Sequence, residues 1–189
     1  MSPAFPVKKK EAGKWRLVVD YRVPNAATIP DSYPLPRIEE ILARQGHFKI
    51  WSVLDLKAGY HQVPLKAESR PITSMATPKG PRQWRVVPMG IVNGNAIYQR
   101  MMEWELDEFD FADPYVDDVI IGSTGNTREE LICNHEADLR KVLEKFAKEK
   151  LVVNGAKAHM FVESVEFCGH VITCGTRSPS PKKLLSIQN

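Results

Sequence analysis

The chain has 189 residues, of which 43% are hydrophobic and 26% are charged, and its formal net charge is +3. This composition is typical of a folded globular protein and excludes a disordered chain. No apolar run approaches the roughly 18 residues of a membrane helix, and no signal peptide is recognisable at the N-terminus. We therefore expect a soluble, intracellular protein.

The first predicted element is a basic β-hairpin. A strand around Phe5 to Lys9 precedes a turn at residues 11–13, and residues 14–21 have the β-branched and aromatic content of a second strand. The hairpin carries five basic residues, opposed by Glu11 alone: Lys8, Lys9, Lys10, Lys14 and Arg16. Such a strip suits phosphate groups, although a solvated basic surface without a ligand is the alternative.

An irregular segment and a helix come next. Four prolines between Pro24 and Pro36 predict a segment without regular structure. Pro36 suits the first turn of a helix that carries Ile38, Ile41 and Leu42 on one face and ends near Gly46.

The middle of the chain contains a buried strand and a long helix. Residues 50–56 form an apolar run with Asp55 near its C-terminal end, which predicts a buried strand. Prolines and glycines between residues 63 and 87 favour an irregular extension of the sheet over helices. The spacing of Tyr98, Met102, Leu106 and Phe109 predicts a long helix. Either Asn93 or Asn95 is expected to cap it.

Residues 114–123 contain two adjacent aspartates between apolar flanks, which predicts a tight hairpin with Asp117 and Asp118 at the turn. Thr127 and Glu130 form a capping box for a helix that reaches about Lys150. Short strands are expected at residues 151–153, 164–167 and 170–173, and prolines near residue 179 indicate a boundary. This order predicts an α+β fold with a sheet of the split βαβ kind, covered by helices on one face.

The three cysteines are expected to be reduced thiols, because three cannot all pair with one another. Cys168, His170 and Cys174 lie close together in the sequence, but they lack a CxxC pair and an obvious fourth ligand. We therefore interpret this segment as a strand and turn and not as a zinc site.

Asp55, Asp117 and Asp118 are the candidate chemical centre. If the two predicted strands are neighbours, these carboxylates meet at one sheet edge and repel one another unless a cation neutralises them. Magnesium fits, because it takes oxygen ligands and shares its coordination sphere with phosphates. Two such ions can promote phosphoryl displacement. The alternative is that adjacent aspartates merely occupy a turn, where Asp is common.

Several segments in this order resemble those of a known family. YVDD at residues 115–118 and LDLKAGYHQ at 54–62 resemble the catalytic segments of reverse transcriptases from gypsy-type long-terminal-repeat retrotransposons. Further similar segments are KKKEAGKWRLVVDYR at 8–22, YPLPRIEE at 33–40, VVPMG at 86–90, NAIYQRMM at 95–102 and FCGHVI at 167–172. The resemblance spans almost the whole chain.

The resemblance implies a polymerase palm, with a ferredoxin-like antiparallel sheet, joined to a partial fingers subdomain. Residues 1–31 would be partial fingers, 32–62 palm, 63–94 fingers, 95–178 palm and 179–189 the start of a thumb. In this family, further fingers strands would precede the chain, and a thumb, a connection and an RNase H domain would follow it in the Pol polyprotein.

The resemblance also implies roles for single residues. Asp55, Asp117 and Asp118 would be the catalytic ligands of two Mg²⁺ ions, for which Mn²⁺ could substitute. The nucleotide site would comprise Lys9, Arg16, Lys57, Ala58, Gly59, Tyr60 and Met89. Within it, Arg16 and Lys9 would bind the triphosphate, and Tyr60 would exclude a ribose 2′-hydroxyl.

The template and primer would contact Gln99, Arg100, Tyr115, Val116, Lys157, Phe167, Cys168, Gly169 and His170. Lys157 would protonate the leaving pyrophosphate. Bland alternatives stay open: surface solubility for Lys9, core packing for Tyr60 and a plain helix surface for Gln99 and Arg100.

The implied activity is template-directed addition of deoxynucleotides (dNTPs) to a primer on an RNA or DNA template. The resemblance also implies an intracellular, cytoplasmic protein of a retroelement particle, with possible nuclear access. Such a protein would be neither secreted nor bound to membranes. One alternative is an inactive nucleic-acid-binding remnant, and another is an RNA-directed RNA polymerase, which Tyr60 argues against. The chain departs from the family's usual residues at Met89, Asn95 and residues 73–75, where fidelity and efficiency would be affected.

Overall fold

A computed structural model describes residues 1–8 and 13–179. The chain separates into two compact units, the first formed by Met1–Tyr33 and Ala58–Tyr98 and the second by Pro34–Lys57 and Gln99–Asn189. The assignment of fingers, palm and thumb to ranges of the chain stays a prediction.

The predicted hairpin is present in the first unit. Strand β1 (Ala4–Lys8) pairs antiparallel with β2 (Trp15–Val19), with Lys8 opposite Trp15. The Lys8 ammonium lies 5.6 Å from the centre of the Trp15 ring, within the range of a cation–π contact. The expected turn residues 11 and 12, like Lys9 and Lys10, lie outside the described residues.

The prediction that residues 24–36 are irregular is wrong at one end, because helix α1 covers Arg22–Ala27. Pro24 lies in its first turn, where a backbone N–H would have no partner within the helix. The Asn25 N–H donates to the Tyr21 carbonyl at 2.8 Å, and the Thr28 hydroxyl donates to the Pro24 carbonyl at 2.7 Å.

The segment from residue 63 to 87 is irregular as expected, but it includes a 3₁₀ helix at Ala67–Thr73. Another 3₁₀ helix, Gly59–Gln62, directly precedes the segment. The expectation of extended pieces alone is therefore wrong, since prolines are compatible with short 3₁₀ turns. Extended pairing is limited to isolated bridges such as Pro64 with Val86.

Helix α2 (Ile38–Gln45) buries Ile41 and Leu42 as predicted. It begins after Arg37, so Pro36 precedes the helix and does not lie in its first turn.

Helix α3 (Gly94–Leu106) passes from the first unit into the second. It buries Tyr98, Met102 and Leu106, whereas Phe109 lies beyond its end. Neither Asn93 nor Asn95 forms the predicted side-chain cap of α3 in its described hydrogen bonds. Asn93 bonds the backbone of Asp31 and Ile29, and Asn95 accepts a bond from Tyr60.

The second unit contains the predicted α+β sheet. Its four strands are β3 (Ile50–Asp55), β4 (Ala112–Tyr115), β5 (Asp118–Ser123) and β6 (His159–Val162), in the antiparallel order β4-β5-β3-β6. Strand β5 lies between β3 and β4, and β3 lies between β5 and β6. These are two split βαβ units, the ferredoxin-like arrangement that was expected.

One strand was predicted in the wrong place. Residues 151–153 contribute an isolated bridge between Leu56 and Val153 and are not assigned to a strand, whereas the edge strand β6 follows at 159–162. Its sequence is His-Met-Phe-Val, which lacks the alternation of polar and apolar residues that predicts a half-buried strand.

Both faces of the four-stranded sheet are covered. Helix α4 (Arg128–Lys148) packs on the face that bears Ser52, and the Thr127 hydroxyl caps it by accepting the Glu130 N–H. The opposite face packs Trp51, Val53 and Ile120 against α2 and against the antiparallel strands β7 (Ser164–Phe167) and β8 (His170–Thr173). Strand β9 (Thr176–Pro179) completes this second, three-stranded sheet. In residues 1–8 and 13–179, no helix is both long and apolar enough to cross a membrane.

Candidate active site

Asp55 and Asp118 are direct neighbours across two strands. Asp55 is the last residue of β3 and Asp118 is the first of β5, and the antiparallel register pairs them. Directly opposed residues in such a ladder have Cα atoms about 4.5–5.5 Å apart and side chains on the same face. The two carboxylates therefore lie together at the edge of the sheet, as the sequence indicated.

Asp117 occupies the tight turn between β4 and β5. The register pairs Tyr115 with Asp118, which leaves Val116 and Asp117 as a two-residue loop. Val116 has a φ of 52°, a conformation that a β-branched residue rarely adopts. The Leu56 N–H donates to the Asp117 carbonyl at 2.9 Å, so the turn is tied to the end of β3.

The negative charge of Asp55 disfavours the charged forms of Asp117 and Asp118. Burial raises the pKa of Asp117, and repulsion from Asp55 raises it further, while Lys157 opposes the shift. Burial, then Asp55 and Asp117, likewise raise the pKa of Asp118. Such mutual repulsion at a half-buried edge is relieved by a nearby cation.

Lys157 supplies a cation at this edge. Its Nζ lies 2.9 Å from Oδ2 of Asp55, and this hydrogen bond is the largest cause that raises the pKa of Lys157. The segment before Lys157 is fixed to β3, because the Asn154 N–H donates to the Asp55 carbonyl and the Lys57 N–H to the Val152 carbonyl.

The three carboxylates are suitable ligands for a hard divalent cation, but they do not form a complete coordination sphere by themselves. Across the described ranges, no three His, Cys, Asp or Glu side chains form a ready-made metal cluster, which also applies to Cys168, His170 and Cys174. Magnesium keeps several waters and shares its sphere with phosphates, so it does not require a cage built wholly of protein. Oδ1 of Asp117 is buried and has no hydrogen-bond partner in the described part of the chain, which leaves an oxygen available for a cation.

The turn between β7 and β8 lies near the acids. Burial and then the charge of Asp118 raise the pKa of the Cys168 thiol to about 12. Cys168 and Gly169 both have positive φ values, 48° and 74°, and Phe167 anchors the turn in the core. His170 begins β8 opposite Phe167. The structure thus places the predicted primer-contacting turn within electrostatic reach of Asp118.

The other predicted template and primer residues differ in exposure. Arg100 is exposed and Tyr115 is partly buried against the core. Gln99 is fully buried, and its amide binds the hairpin at Pro114 and Val116. The structure therefore does not present the Gln99 side chain to a template strand.

The predicted nucleotide residues lie mainly in the first unit. Arg16 is exposed in β2 opposite Val7, and Met89 is also exposed. The Tyr60 hydroxyl donates to Oδ1 of Asn95 at 2.6 Å, and the Tyr60 ring lies 5.3 Å from that of Tyr98.

Residues 57–59 of the predicted nucleotide site include one unusual backbone conformation. Ala58 has a φ of 53° and precedes the buried Gly59. Lys57 belongs to the second unit and has an exposed side chain. Lys9 lies outside the described residues.

A polar network beneath the sheet was not predicted. Fully buried His135 of α4 bonds Ser52 of β3 at 2.7 Å and Ser123 of β5 at 2.9 Å, and Ser123 donates to Asp138. Burial lowers the pKa of His135. In the sequence, His135 appears only as one member of an apolar-leaning helix face, so no motif identifies its partners.

The chain is similar to known proteins over nearly its whole length. Residues 7–172 match the family model described as reverse transcriptase (RNA-dependent DNA polymerase). The chain is 38% identical over 183 residues to the enzymatic polyprotein of figwort mosaic virus (strain DxS), covering 95% of the chain and 27% of that protein. It is 37% identical over 186 residues to the retrovirus-related Pol polyprotein from transposon opus of Drosophila melanogaster, covering 96% of the chain and 18% of that protein.

Solved structures have the same fold. The foamy viral protease–reverse transcriptase in complex with double-stranded DNA superposes with a TM-score of 0.88 at 26% identity, covering all of this chain and 32% of that one. The native prototype foamy virus enzyme gives a TM-score of 0.76 at 29% identity, covering 94% of this chain and 23% of that one. The chain thus spans less than a third of the length of each of these four proteins.

Proposed function

Because the chain belongs to the reverse transcriptase (RNA-dependent DNA polymerase) family, we propose that it adds dNTPs to a primer 3′ end on an RNA or DNA template. The observation that carries this proposal is the register that pairs Asp55 with Asp118 and leaves Asp117 in the adjoining turn. Three acids at one sheet edge, of which two have raised pKa values, suit a site that binds cations.

Members of this family use divalent metal ions. In the proposal, Asp55, Asp117 and Asp118 hold two Mg²⁺ ions, for which Mn²⁺ substitutes. When bound, such ions lower the pKa of the attacking hydroxyl and place positive charge beside the reacting phosphate. The unpartnered Oδ1 of Asp117 and the ladder position of Asp118 support these ligand assignments.

The remaining chemistry is assigned to other residues of the chain. Lys157 supplies a proton to the leaving pyrophosphate, which its position at Asp55 supports. Arg16 binds the triphosphate of the dNTP, because a planar guanidinium bonds two phosphate oxygens at once. The ring of Tyr60 excludes the 2′-hydroxyl of a ribonucleotide.

The primer 3′ end is assigned to the turn from Phe167 to His170. The proximity of Cys168 to Asp118 supports this assignment, because a primer terminus must lie beside the catalytic acids. The solved foamy viral relative is described in complex with double-stranded DNA, which is consistent with a duplex as ligand.

We also propose that the chain works within a longer polyprotein that includes thumb, connection and RNase H regions, inside the cell in a retroelement particle. The matched relatives are themselves polyproteins of which the chain spans 18% to 27%, which supports the longer polyprotein.

The test is primer extension on poly(rA)/oligo(dT) with Mg²⁺ and dTTP. The wild-type chain is compared with Asp117→Asn, which has the same shape but a weaker metal-binding group. We expect metal-dependent incorporation by the wild type and none by Asp117→Asn. Activity that survives the substitution, or a chain that binds the duplex and incorporates nothing, contradicts the proposal. The second outcome supports a nucleic-acid-binding remnant.

A further inference from the structure

We propose that Gln99 is a positioning residue that fixes the turn of Val116 and Asp117 and so aims the Asp117 carboxylate. This inference rests on the proposed function, because it concerns a residue that orients one of the assigned metal ligands. It gives Gln99 a role inside the protein, distinct from a contact with the template.

Three contacts engage both N–H donors and the carbonyl oxygen of the Gln99 amide. Its Oε1 accepts the Val116 N–H at 2.7 Å, and its Nε2 donates to the Pro114 carbonyl at 3.0 Å. The second Nε2 hydrogen is directed to Oε1 of Glu103 at 2.8 Å, one helical turn further along α3. A primary amide has two donors and one carbonyl acceptor, so this side chain spans both ends of the bend in the hairpin.

The turn requires such support because its backbone is unfavourable. Val116 has a positive φ, which a β-branched residue adopts only when its surroundings over-determine the conformation. Gln99 holds the N–H of Val116, and Leu56 holds the carbonyl of Asp117. These two bonds flank the peptide that joins Val116 to Asp117.

Full burial makes the bonds from Gln99 costly to lose. The residue has no exposed surface, so water does not replace a missing partner of the Val116 N–H. Glu103 holds the amide in one orientation, because its carboxylate accepts only from the NH₂ side. The carbonyl oxygen is thereby directed at Val116.

A matched control comes from another buried glutamine that binds the same hairpin. Gln45 is also fully buried, and its Nε2 donates to Oδ2 of Asp113 at 2.8 Å. Asp113 lies in β4 away from the turn. Gln45→Met and Gln99→Met thus remove equivalent amides, but only Gln99→Met releases Val116.

The experiment compares the full wild-type chain with both variants. It measures melting temperature, primer–template affinity by fluorescence anisotropy, the Mg²⁺ dependence of extension, and Mn²⁺ binding by electron paramagnetic resonance without nucleic acid. We expect both variants to melt earlier and to bind the duplex as the wild type does. Only Gln99→Met should need more metal, by about tenfold or more, which is the usual effect of losing an outer partner of a metal ligand.

Equal metal dependence of Gln99→Met and Gln45→Met overturns the inference. So does a Gln99→Met variant that loses duplex affinity while its metal binding is unchanged, since that result indicates a template contact. If Gln99→Met fails to fold, Glu103→Gln is the milder variant, because it removes the charge that orients the amide. It should shift metal dependence in the same direction by a smaller factor, and no shift overturns the inference.

Asp117→Asn in the same assays separates this inference from the proposed function. If Asp117→Asn still extends primers, the proposed function itself is refuted. If Asp117→Asn loses extension but Gln99→Met has the same metal dependence as Gln45→Met, only the positioning role of Gln99 is refuted.

Discussion

Lys157 and Asp55 are joined by an ion pair of 2.9 Å between Nζ and Oδ2, although they are 102 residues apart in the chain. Lys157 therefore partly neutralises an edge that also holds Asp117 and Asp118, whose charges act on its own pKa. A divalent ion that binds Asp55 must compete with this ammonium group.

Lys157→Gln should bind Mn²⁺ more tightly than the wild type in the absence of nucleotide. The expected gain is up to about fivefold, because an exposed ion pair is worth about 0.2–1 kcal/mol. The same variant should extend primers more slowly if Lys157 protonates pyrophosphate. Weaker Mn²⁺ binding by Lys157→Gln, measured by electron paramagnetic resonance, would show that the lysine does not compete with metal.

Asp117→Asn should stabilise the metal-free fold at neutral pH while it abolishes extension. The raised pKa of Asp117 means that its charged form is disfavoured in the folded state. The resulting loss of stability is absent below the pKa that Asp117 has in the unfolded chain. It develops as the pH rises through the pKa that Asp117 has in the folded chain. Relief of such a charge is typically worth about 0.5–2 kcal/mol, or about 2–4 °C per kcal/mol in a chain of this size.

Thermal melts in EDTA check this prediction. Asp113→Asn is a control that should change the melting temperature in the opposite direction. Asp113 is buried and its charge is stabilised by bonds to Arg44 at 2.6 Å and Gln45 at 2.8 Å. This control variant should melt earlier than the wild type. An Asp117→Asn variant that also melts earlier would contradict the charge repulsion.

His135 should make the fold sensitive to mild acid. Its lowered pKa means that the unfolded chain takes up a proton before the folded one, so stability is complete above about pH 6.5 and falls as pH decreases toward the folded pKa. The slope of the unfolding free energy is at most about 1.4 kcal/mol per pH unit.

Urea unfolding across this pH range should show a flatter dependence for His135→Gln. His159→Gln, which removes an exposed histidine of β6, serves as the matched control and should keep the wild-type slope. Identical slopes for wild type and His135→Gln would mean that the network with Ser52 and Ser123 tolerates a charged imidazole.

Tyr60→Ala should admit ribonucleotides. Removal of the ring opens space for a 2′-hydroxyl, and the preference for dTTP over UTP should fall at least about tenfold, as for other steric changes in a pocket. Tyr60→Phe keeps the ring and removes the hydroxyl that bonds Asn95, so it should keep the preference. Competition between dTTP and UTP measures both variants, and an unchanged preference in Tyr60→Ala would assign the ring to packing alone.

The sequence predicted the sheet edge that matters here because each part has a strong local signal. The apolar run before Asp55 and the apolar flanks of Asp117 and Asp118 predicted β3 and the β4–β5 hairpin, and the register confirms that they are neighbours. The edge strand at 159–162 was missed because its sequence, His-Met-Phe-Val, has three consecutive apolar residues and no alternation of polar and apolar side chains.

The contacts that support the hairpin were beyond prediction from the sequence for a different reason. Gln99 and Gln45 are polar residues within helices, and nothing in the spacing shows that their amides are buried against β4. The same holds for His135, whose partners come from two distant strands. Pairwise side-chain contacts depend on tertiary packing, which local patterns do not encode.

The most direct test of the central claim replaces Mg²⁺ by Fe²⁺ and maps the backbone cleavage that hydroxyl radicals produce around the bound ion. The assignment of Asp55, Asp117 and Asp118 as metal ligands predicts cuts near residues 55 and 117, suppressed by excess Mg²⁺ and lost in Asp117→Asn. Cleavage elsewhere in the chain, or cuts that persist unchanged in Asp117→Asn, would contradict the account.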